Sequence, residues 1–265
     1  MSNSFSVLTA NIGSMYLWST RNKLPPLLGN MYASVFNYGR TPSSGLEAFA
    51  QLVHQRQPTL VCLQEVYSAT HQKSAQDREL ERMIGPGYTW FVSGASGDNK
   101  VIVVRKDVLN GHHGEQIITA GGIPCGIAYK LDEPLAWVAS VHLRYSNLVE
   151  RASQLEELLR WAGSKKEPVL LAGDFNTHSA WASPEKQRAA YQTLHLLHTS
   201  GFQNLSKSID CTWRWGRYLP TAGRIKLDHF FGRGVKAVEE PVAVRDHLRG
   251  WMDHLALYGP RFVVE

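Results

Sequence analysis

The sequence predicts one α/β domain, and two observations support this prediction. Short apolar runs with the composition of buried strands alternate along the 265 residues with segments that have the period of amphipathic helices. No repeat, low-complexity tract or charged tail interrupts this alternation. With 43% hydrophobic and 19% charged residues, the chain can build a large core, which excludes intrinsic disorder. We therefore expect residues 1–265 to form a single domain.

The predicted strands are apolar runs that end at turn-forming or charged residues. There are eight of them: Phe5–Asn11, Leu60–Glu65, Tyr88–Val92, Val101–Val104, Trp137–His142, Val169–Ala172, Leu227–Phe231 and His254–Tyr258.

Two of the predicted helices begin with a capping-box spacing. Ser44 and Glu47 form the first such pair, and Pro58 lies where that helix should have ended. The apolar stripe behind this start consists of Leu46, Phe49, Ala50 and Val53. Asn147 and Glu150 form the second pair. Its stripe consists of Leu148, Ala152, Leu155, Leu159 and Ala162.

A third helix is expected between Ser183-Pro184, which places proline at the first helical position, and Gly201, which ends it. The segment of residues 12–45 is longer than an ordinary connection and carries aromatic and basic residues. Two interpretations stay open for it: a wall of a substrate site, or a loop that packs its own rings on the domain.

Charge and cysteine content suggest where the protein works. Lys and Arg number 28 against 23 Asp and Glu, a net charge of +5 that permits a polyanionic partner. No apolar run is long enough to span a membrane, and residues 1–5 lack the features of a signal peptide. Cys62, Cys125 and Cys211 lie far apart, which is typical of buried free thiols. We expect a cytoplasmic monomer, although a protein exported without a signal peptide would look the same.

Polar residues stand where apolar strand runs begin or end. The residues at these positions are Asn11, Glu65, His142, Asp174, Asn176, Asp228 and the pair Asp253-His254. Taken alone, each has an ordinary structural explanation, such as a strand-end carboxylate or a turn residue. Together they predict one rim of a sheet, where clustered carboxylates would raise one another's pKa unless a cation lay among them. A hard divalent ion such as Mg²⁺ fits oxygen ligands of this kind.

Three of these motifs resemble those of the endonuclease/exonuclease/phosphatase superfamily. They are Leu63-Gln64-Glu65, Gly173-Asp174-Phe175-Asn176 and Asp253-His254, in this order. The stretch from Thr212-Trp213 to Arg224–Asp228 also resembles the segment before the family's last strands. The resemblance, closest to deoxyribonucleases and exonuclease III-like enzymes, implies a four-layer α/β sandwich of two mainly antiparallel sheets flanked by helices.

The same resemblance implies a metal site for Mg²⁺ or Mn²⁺. Glu65 would bind the ion directly, and Asp253 and Asn11 would contribute directly or through water. Many nucleases of the group carry a further carboxylate at the position of Gly13, and a serine at the position of Met252. The first departure predicts either a lower metal affinity or an ion that rests mainly on Glu65, and the second predicts the loss of a local hydrogen bond.

The catalytic roles that the resemblance implies belong to metal-assisted hydrolysis of a phosphoester. Asp174 would orient and deprotonate the attacking water, and Asn176 would donate to a phosphate oxygen. His254 would act as a charged donor to the phosphoryl group, with Asp228 behind it fixing its orientation. His142 would contact the phosphate or assist the leaving oxygen.

Basic and aromatic residues near the predicted site bear on the choice of substrate. Arg144 follows His142 by two residues, which places it on the same side of an extended segment. Basic and aromatic residues also interleave before Asp228: Trp213, Arg214, Trp215, Arg217, Tyr218, Arg224 and Lys226. These can contact a nucleic-acid strand, or the tryptophans can form a buried strand face beside solvated arginines.

We expect a DNA nuclease; a phosphatase or a phospholipid- or sphingomyelin-type phosphodiesterase is the alternative enzyme, with a phosphorylated small molecule or lipid head group as substrate. A binding protein that has lost turnover is the alternative of another class.

Overall fold

The computed structural model describes residues 4–12, 42–66, 75–93, 99–109, 115–118, 122–145, 147–177, 183–214, 224–244 and 254–265. The segment 13–41, which contains most of the long connection, lies outside these residues. Among the described residues, no helix is long and apolar enough to cross a membrane. All three cysteines are buried and free, as predicted.

The described chain contains four α-helices, fifteen strands and one 3-10 turn, Lys106–Val108. The helices are α1 (Pro42–Arg56), α2 (Ala75–Ile84), α3 (Leu148–Gly163) and α4 (Pro184–Thr199). The strands are β1 (Ser4–Asn11), β2 (Leu60–Val66), β3 (Tyr88–Val92), β4 (Asn99–Arg105), β5 (Glu115–Ile118), β6 (Pro124–Asp132), β7 (Leu135–His142), β8 (Val169–Asp174), β9 (Gln203–Asn204), β10 (Trp213–Arg214), β11 (Arg224–Ile225), β12 (Asp228–Arg233), β13 (Val235–Ala237), β14 (Val242–Val244) and β15 (Ala256–Val264).

The strands form two large mixed sheets and a small ribbon. The first sheet has seven strands in the order β13-β15-β1-β2-β4-β3, with β14 also paired to β15. The second has six strands in the order β5-β6-β7-β8-β12-β9, and β10 pairs with β11 in the ribbon. Most pairs are antiparallel; β1 with β2 and β7 with β8 are parallel.

Alternation along the strands divides the core into three layers of side chains. In β2, Leu60 and Cys62 pack between the two sheets, whereas Val61 and Leu63 face α1 and α2. The second sheet likewise packs its outer face against α3 and α4. Two sheets face each other with helices on both outer sides, so the four-layer α/β sandwich is confirmed.

The predicted strands are all present, but several strands were missed. The largest is β6, whose sequence contains Pro124, Gly126 and Lys130 and so lacks a clear apolar pattern. It nevertheless pairs with β7 over seven residues, because tertiary pairing overrides weak local preference. The last strand begins at Ala256 and continues to Val264, beyond the predicted end at Tyr258.

The predicted start of the first helix needs correction. The first helix begins at Pro42, so Ser44 lies inside it and is not its N-cap; proline is favoured in the first turn because its missing N–H has no partner there anyway. The second begins as predicted, with the Asn147 side chain accepting hydrogen bonds from two backbone N–H groups at 3.1 Å.

The predicted apolar stripe of α3 is partly confirmed: Leu155 and Ala162 are buried in the core, and Leu159 packs against it. Ala152 is exposed, and the buried positions include the polar residues Arg151 and Gln154. The buried face of α3 therefore includes two polar positions that a hydrophobic pattern does not indicate. The third helix, Pro184–Thr199, has Ser183 at its N-cap position as predicted.

Candidate active site

A polar layer between the two sheets forms the floor of the site. Gln64 is fully buried and donates to Thr9 Oγ1 (3.2 Å) in β1 and to Ser140 Oγ (3.0 Å) in β7. Ser140 in turn donates to the Leu63 carbonyl oxygen at 3.1 Å. These bonds join the sheets just below the strand ends, so the groups above them are held in a fixed relation.

Strand alternation brings the next residues onto this floor. Asn11 follows Thr9 by two positions, His142 follows Ser140 by two, and Asp174 is paired with His142 across β7 and β8. Asp228 is in turn paired with Asp174 across β8 and β12. All four therefore point between the sheets at one end of the sandwich.

Glu65 reaches the same place by breaking the alternation. Strand β2 has an irregularity between Leu63 and Val66, and Glu65 has a φ of 55°. This left-handed conformation is uncommon for glutamate and turns its carboxylate toward Asn11, whose Nδ2 donates to Glu65 Oε1 at 2.9 Å. Strained backbone of this kind often occurs at functional sites.

Two carboxylate oxygens converge on two shared nitrogen atoms. Asn11 Nδ2 also donates to Asp174 Oδ2 at 3.1 Å. His142 Nε2 lies 3.7 Å from Glu65 Oε1 and 3.8 Å from Asp174 Oδ2. Both acids therefore face one small space between the sheets.

The turn after β8 fixes Asn176 beside this space. Its backbone N–H donates to Asp174 Oδ1 at 2.7 Å, an Asx-type turn, and its φ is 49°. Its side-chain Nδ2 donates to the Leu143 carbonyl oxygen at 2.8 Å and lies 3.2 Å from His142 Nε2. Asn176 thus ties the ends of β7 and β8 together.

On the other side of Asp174, a histidine is held by a second acid. His254 Nδ1 lies 2.9 Å from Asp228 Oδ2, and its Nε2 lies 3.7 Å from Asp174 Oδ2. Thr212 Oγ1 accepts the backbone N–H groups of Leu227 (2.9 Å) and Asp228 (3.0 Å). Because the Thr212 carbonyl also accepts the N–H of the residue after His254, one threonine holds both partners of the pair in place.

The electrostatics of Asp174 reflect its position among these groups. Burial raises the pKa of Asp174, because desolvation disfavours the carboxylate. His254 and His142 lower this pKa, whereas the nearby Asp228 carboxylate raises it. Asp174 is therefore a buried carboxyl whose protonation depends on its neighbours.

The donor set fits a hard divalent cation on the Glu65 side of the site. Glu65 has 30% of its side chain exposed and faces a second carboxylate oxygen across the Asn11 amide, and oxygen ligands suit Mg²⁺ or Mn²⁺. Asp174, Asp228 and His254 also offer ligand atoms within 4.8 Å of one another. However, Asp228 and His254 bond to each other, which favours a proton-handling pair over a metal site there.

Among the predicted substrate residues, Arg144 is the one whose side chain the structure describes. Arg144 turns toward α3, where its Nε lies 3.1 Å from Glu150 Oε1. The backbones of Arg214 and Arg224 are paired in the ribbon that follows Thr212, with Trp213 opposite Ile225. The structure does not describe the side chains of Trp213, Arg214 and Arg224. Arg217 and Asp253 lie entirely outside the described residues.

Sequence reasoning missed two features, one in contact with the site and one close to it in sequence. Arg151, on α3, is 2% exposed and donates from Nη1 to the Asn176 carbonyl oxygen at 2.5 Å. Tyr145, three residues after His142, is 45% exposed, and Lys186 Nζ lies 4.1 Å from the centre of its ring. Hydrophobic periodicity gave no signal for Arg151, because it counts only apolar side chains. Nothing local indicated the Tyr145–Lys186 contact.

Comparison with known proteins places this site in a family. The model of the Endonuclease/Exonuclease/phosphatase family matches residues 8–249. No curated protein sequence matches the chain.

Solved structures share the fold over nearly the whole chain. The endonuclease/exonuclease/phosphatase from Bacteroides vulgatus is 17% identical, with 99% of each chain covered and a TM-score of 0.70. D. rerio TDP2 complexed with single strand DNA product is 16% identical, with 98% of this chain and 99% of that chain covered and a TM-score of 0.67. The AP endonuclease LMAP from Leishmania major is 14% identical, with 99% and 88% covered and a TM-score of 0.64. At these identities the likeness establishes the fold alone.

Proposed function

Because the chain belongs to the endonuclease/exonuclease/phosphatase family, we propose that it is a divalent-metal-dependent phosphodiesterase that cleaves DNA. The observation that carries this proposal is the convergence of Glu65, Asp174 and His254 around one space between the sheets. Acid, base and cation-binding groups in such an arrangement suit attack of water on a phosphoester.

The residues of the chain divide the work of the reaction. Glu65 and Asn11, with Asp253, would hold Mg²⁺ or Mn²⁺, and the bound ion would stabilise negative charge on the phosphate. Asp174 accepts a proton from the attacking water, since its Oδ1 is fixed by the Asn176 N–H and Oδ2 faces the site. The burial that raises the pKa of Asp174 makes it a stronger base than an exposed carboxylate.

The two histidines and Asn176 would bind the phosphoryl group. His254 directs Nε2 into the site while Asp228 stabilises its protonated form through Nδ1, so it can present positive charge to the transition state. His142 Nε2 and the Asn176 amide lie side by side on the opposite wall. Positioning and electrostatic stabilisation, with Asp174 as base, therefore account for the chemistry.

DNA is the proposed substrate, and features of this chain and of similar structures support it. D. rerio TDP2 is complexed with a single-strand DNA product, and the Leishmania protein is an AP endonuclease. In this chain Tyr145 follows His142 by three residues, its ring is exposed, and Lys186 Nζ lies 4.1 Å from the ring centre. An exposed aromatic ring with a cation against it can contact a base and a phosphate of a single strand.

A panel of substrates tests the proposal. Purified protein with Mg²⁺ or Mn²⁺ is expected to cleave plasmid or single-stranded DNA, and EDTA is expected to abolish the cleavage. Asp174→Asn should lower kcat by about 100-fold or more, since a positioned general base contributes about that much. Glu167→Gln, which alters a carboxylate paired with Lys130 at 2.7 Å outside the site, is the matched control and should remain active.

The outcomes separate the competing functions. Full activity of Asp174→Asn would refute the mechanism. Hydrolysis of inositol phosphates or sphingomyelin without DNA or RNA cleavage would show that the protein is a phosphatase or a phospholipid-type phosphodiesterase and not a nuclease. Binding without turnover across the panel would support a non-catalytic binding protein.

A further inference from the structure

Helix α3 buries an arginine behind the site, and the described residues do not supply all of its hydrogen-bond partners. Arg151 is 2% exposed, and its Nη1 donates to the Asn176 carbonyl oxygen. Its Nη2 is also buried and has no hydrogen-bond partner among the described residues. A single hydrogen bond to a carbonyl does not offset the desolvation of a guanidinium, so packing alone does not account for an arginine here.

The charge of Arg151 is placed toward the acidic side of the site. Burial lowers the pKa of Arg151, while attraction to Asp174 raises it. The buried guanidinium therefore lies within electrostatic reach of the proposed base and can offset part of the negative charge that gathers there.

The hydrogen bond of Arg151 acts on a strained residue. Asn176 has a left-handed φ of 49°. Asp174 fixes its N–H, the Leu143 carbonyl fixes its side chain, and Arg151 fixes its carbonyl. Without the last bond, the peptide after Asn176 could rotate toward a more favourable conformation and carry the amide away from His142.

The same helix also holds the loop after β7. Gln154, one turn after Arg151, accepts the Arg144 backbone N–H at 2.7 Å. Helix α3 thus fixes the loops on both sides of the His142–Asn176 contact through two buried polar side chains, the two that interrupt its apolar face.

We propose that Arg151 is a positioning residue for the phosphoester hydrolysis: its guanidinium holds the Asn176 peptide so that the Asn176 amide and the Asp174 carboxylate face the scissile phosphate. This inference rests on the proposed function. Arg151 does not contact the substrate, so it is expected to affect the turnover of bound substrate more than substrate binding.

The test compares Arg151→Met, which has a similar length without charge, with Arg151→Lys, which keeps a charge and one donor. On a small activated phosphodiester with Mg²⁺, Arg151→Met should lower kcat by about 100-fold with KM changed by less than about threefold, as for misplacement of reacting groups. Arg151→Lys should recover at least about tenfold of this loss. Native-state hydrogen exchange at the Asn176 N–H should be faster in Arg151→Met at equal global stability.

The matched control is Arg233, a second arginine that binds main-chain carbonyls. Its Nη2 donates to Ala162 O (2.6 Å) and Lys165 O (3.2 Å), at the far end of α3. Arg233→Met should lower thermal stability and leave kcat within about twofold for the folded protein.

Each outcome bears on one proposal. If Arg151→Met has the same kcat and the same Asn176 hydrogen exchange as the wild type, the positioning role is overturned. If that variant does not fold, Arg151→Lys decides: a fall in kcat together with faster Asn176 exchange would support the positioning role, and a fall in kcat with wild-type Asn176 exchange would overturn it. A wild-type protein that hydrolyses no phosphodiester would refute the proposed function instead, whatever the exchange data show.

Discussion

Replacing Asp228 by asparagine isolates the charge behind His254. Asp228 is 1% exposed and its Oδ2 lies 2.9 Å from His254 Nδ1. Asparagine has the same shape and can still accept a hydrogen bond from Nδ1, so the ring should stay in place. What is lost is the negative charge that stabilises the imidazolium facing the phosphate.

The size of the effect follows from this geometry. Two unit charges about 4 Å apart attract by about 4 kcal/mol at an effective dielectric constant of about 20. If the transition state loses most of this stabilisation, kcat should fall by about 100- to 1000-fold, at about 1.4 kcal/mol for each factor of ten. The folded structure should remain, because a neutral amide is less costly to bury than a carboxylate.

The assay is a double-mutant cycle in kcat on a single-stranded oligonucleotide and a small phosphodiester. It uses Asp228→Asn, His254→Ala and the double variant. Since Asp228 acts through His254, the Asp228→Asn substitution should have little further effect once His254 is absent. Asp107→Asn, at an exposed ion pair with Arg105 at the other end of the sheet, is the control and should be fully active. Activity of Asp228→Asn within threefold of wild type, or an equal loss in both backgrounds, would refute the reasoning.

Three further predictions concern stability. Gly173→Ala should lower the free energy of unfolding by about 2 kcal/mol or more in urea, because its φ is 145° and a Cβ would overlap a β7 carbonyl oxygen; Gly201→Ala, with φ 84° and no such overlap, should cost about 1 kcal/mol. Burial lowers the pKa of Lys226 from 10.5 to about 8. Between these two pH values Lys226 is protonated in the unfolded chain and mostly neutral in the folded protein, so the free energy of unfolding should rise with pH. From pH 8 to 10.5 the free energy of unfolding of the wild type, compared with that of Lys226→Met, should rise by up to about 3 kcal/mol, as measured from unfolding midpoints. A difference between the two proteins that does not change with pH would show that the lysine is solvated. Thr212→Val should cost about 2 to 4 kcal/mol because two buried N–H groups lose their acceptor, whereas Thr212→Ser should lose much less.

Several parts of the site could be predicted because their signals are local. Polar residues at the ends of apolar runs correctly marked Asn11, His142, Asp174 and Asp228 as neighbours at one end of the sandwich. The Asn147 cap was predictable for the same reason, since the side chain that satisfies the first helical N–H groups is only two or three residues away.

Other parts could not be predicted because they depend on contacts between distant segments. The hydrophobic pattern of α3 correctly marked Leu155 and Ala162 as buried. It left out Arg151 and Gln154, which are buried while they bind the loops after two strands of the second sheet. Periodicity counts apolar side chains and cannot identify a polar residue that is buried for its partner.

The strand-end residues predicted a cation-binding rim, and the resemblance of their motifs to those of a known family added the prediction of phosphoester hydrolysis. Their arrangement required the folded sandwich: Asn11 and Asp174 are 163 residues apart in sequence and 3.1 Å apart in space. The left-handed turn of Glu65 and the 2.9 Å contact of Asp228 with His254 arise only when strands of two sheets pair and pack. Local sequence sets which groups are available, whereas the balance of pairing, burial and backbone strain sets where they meet.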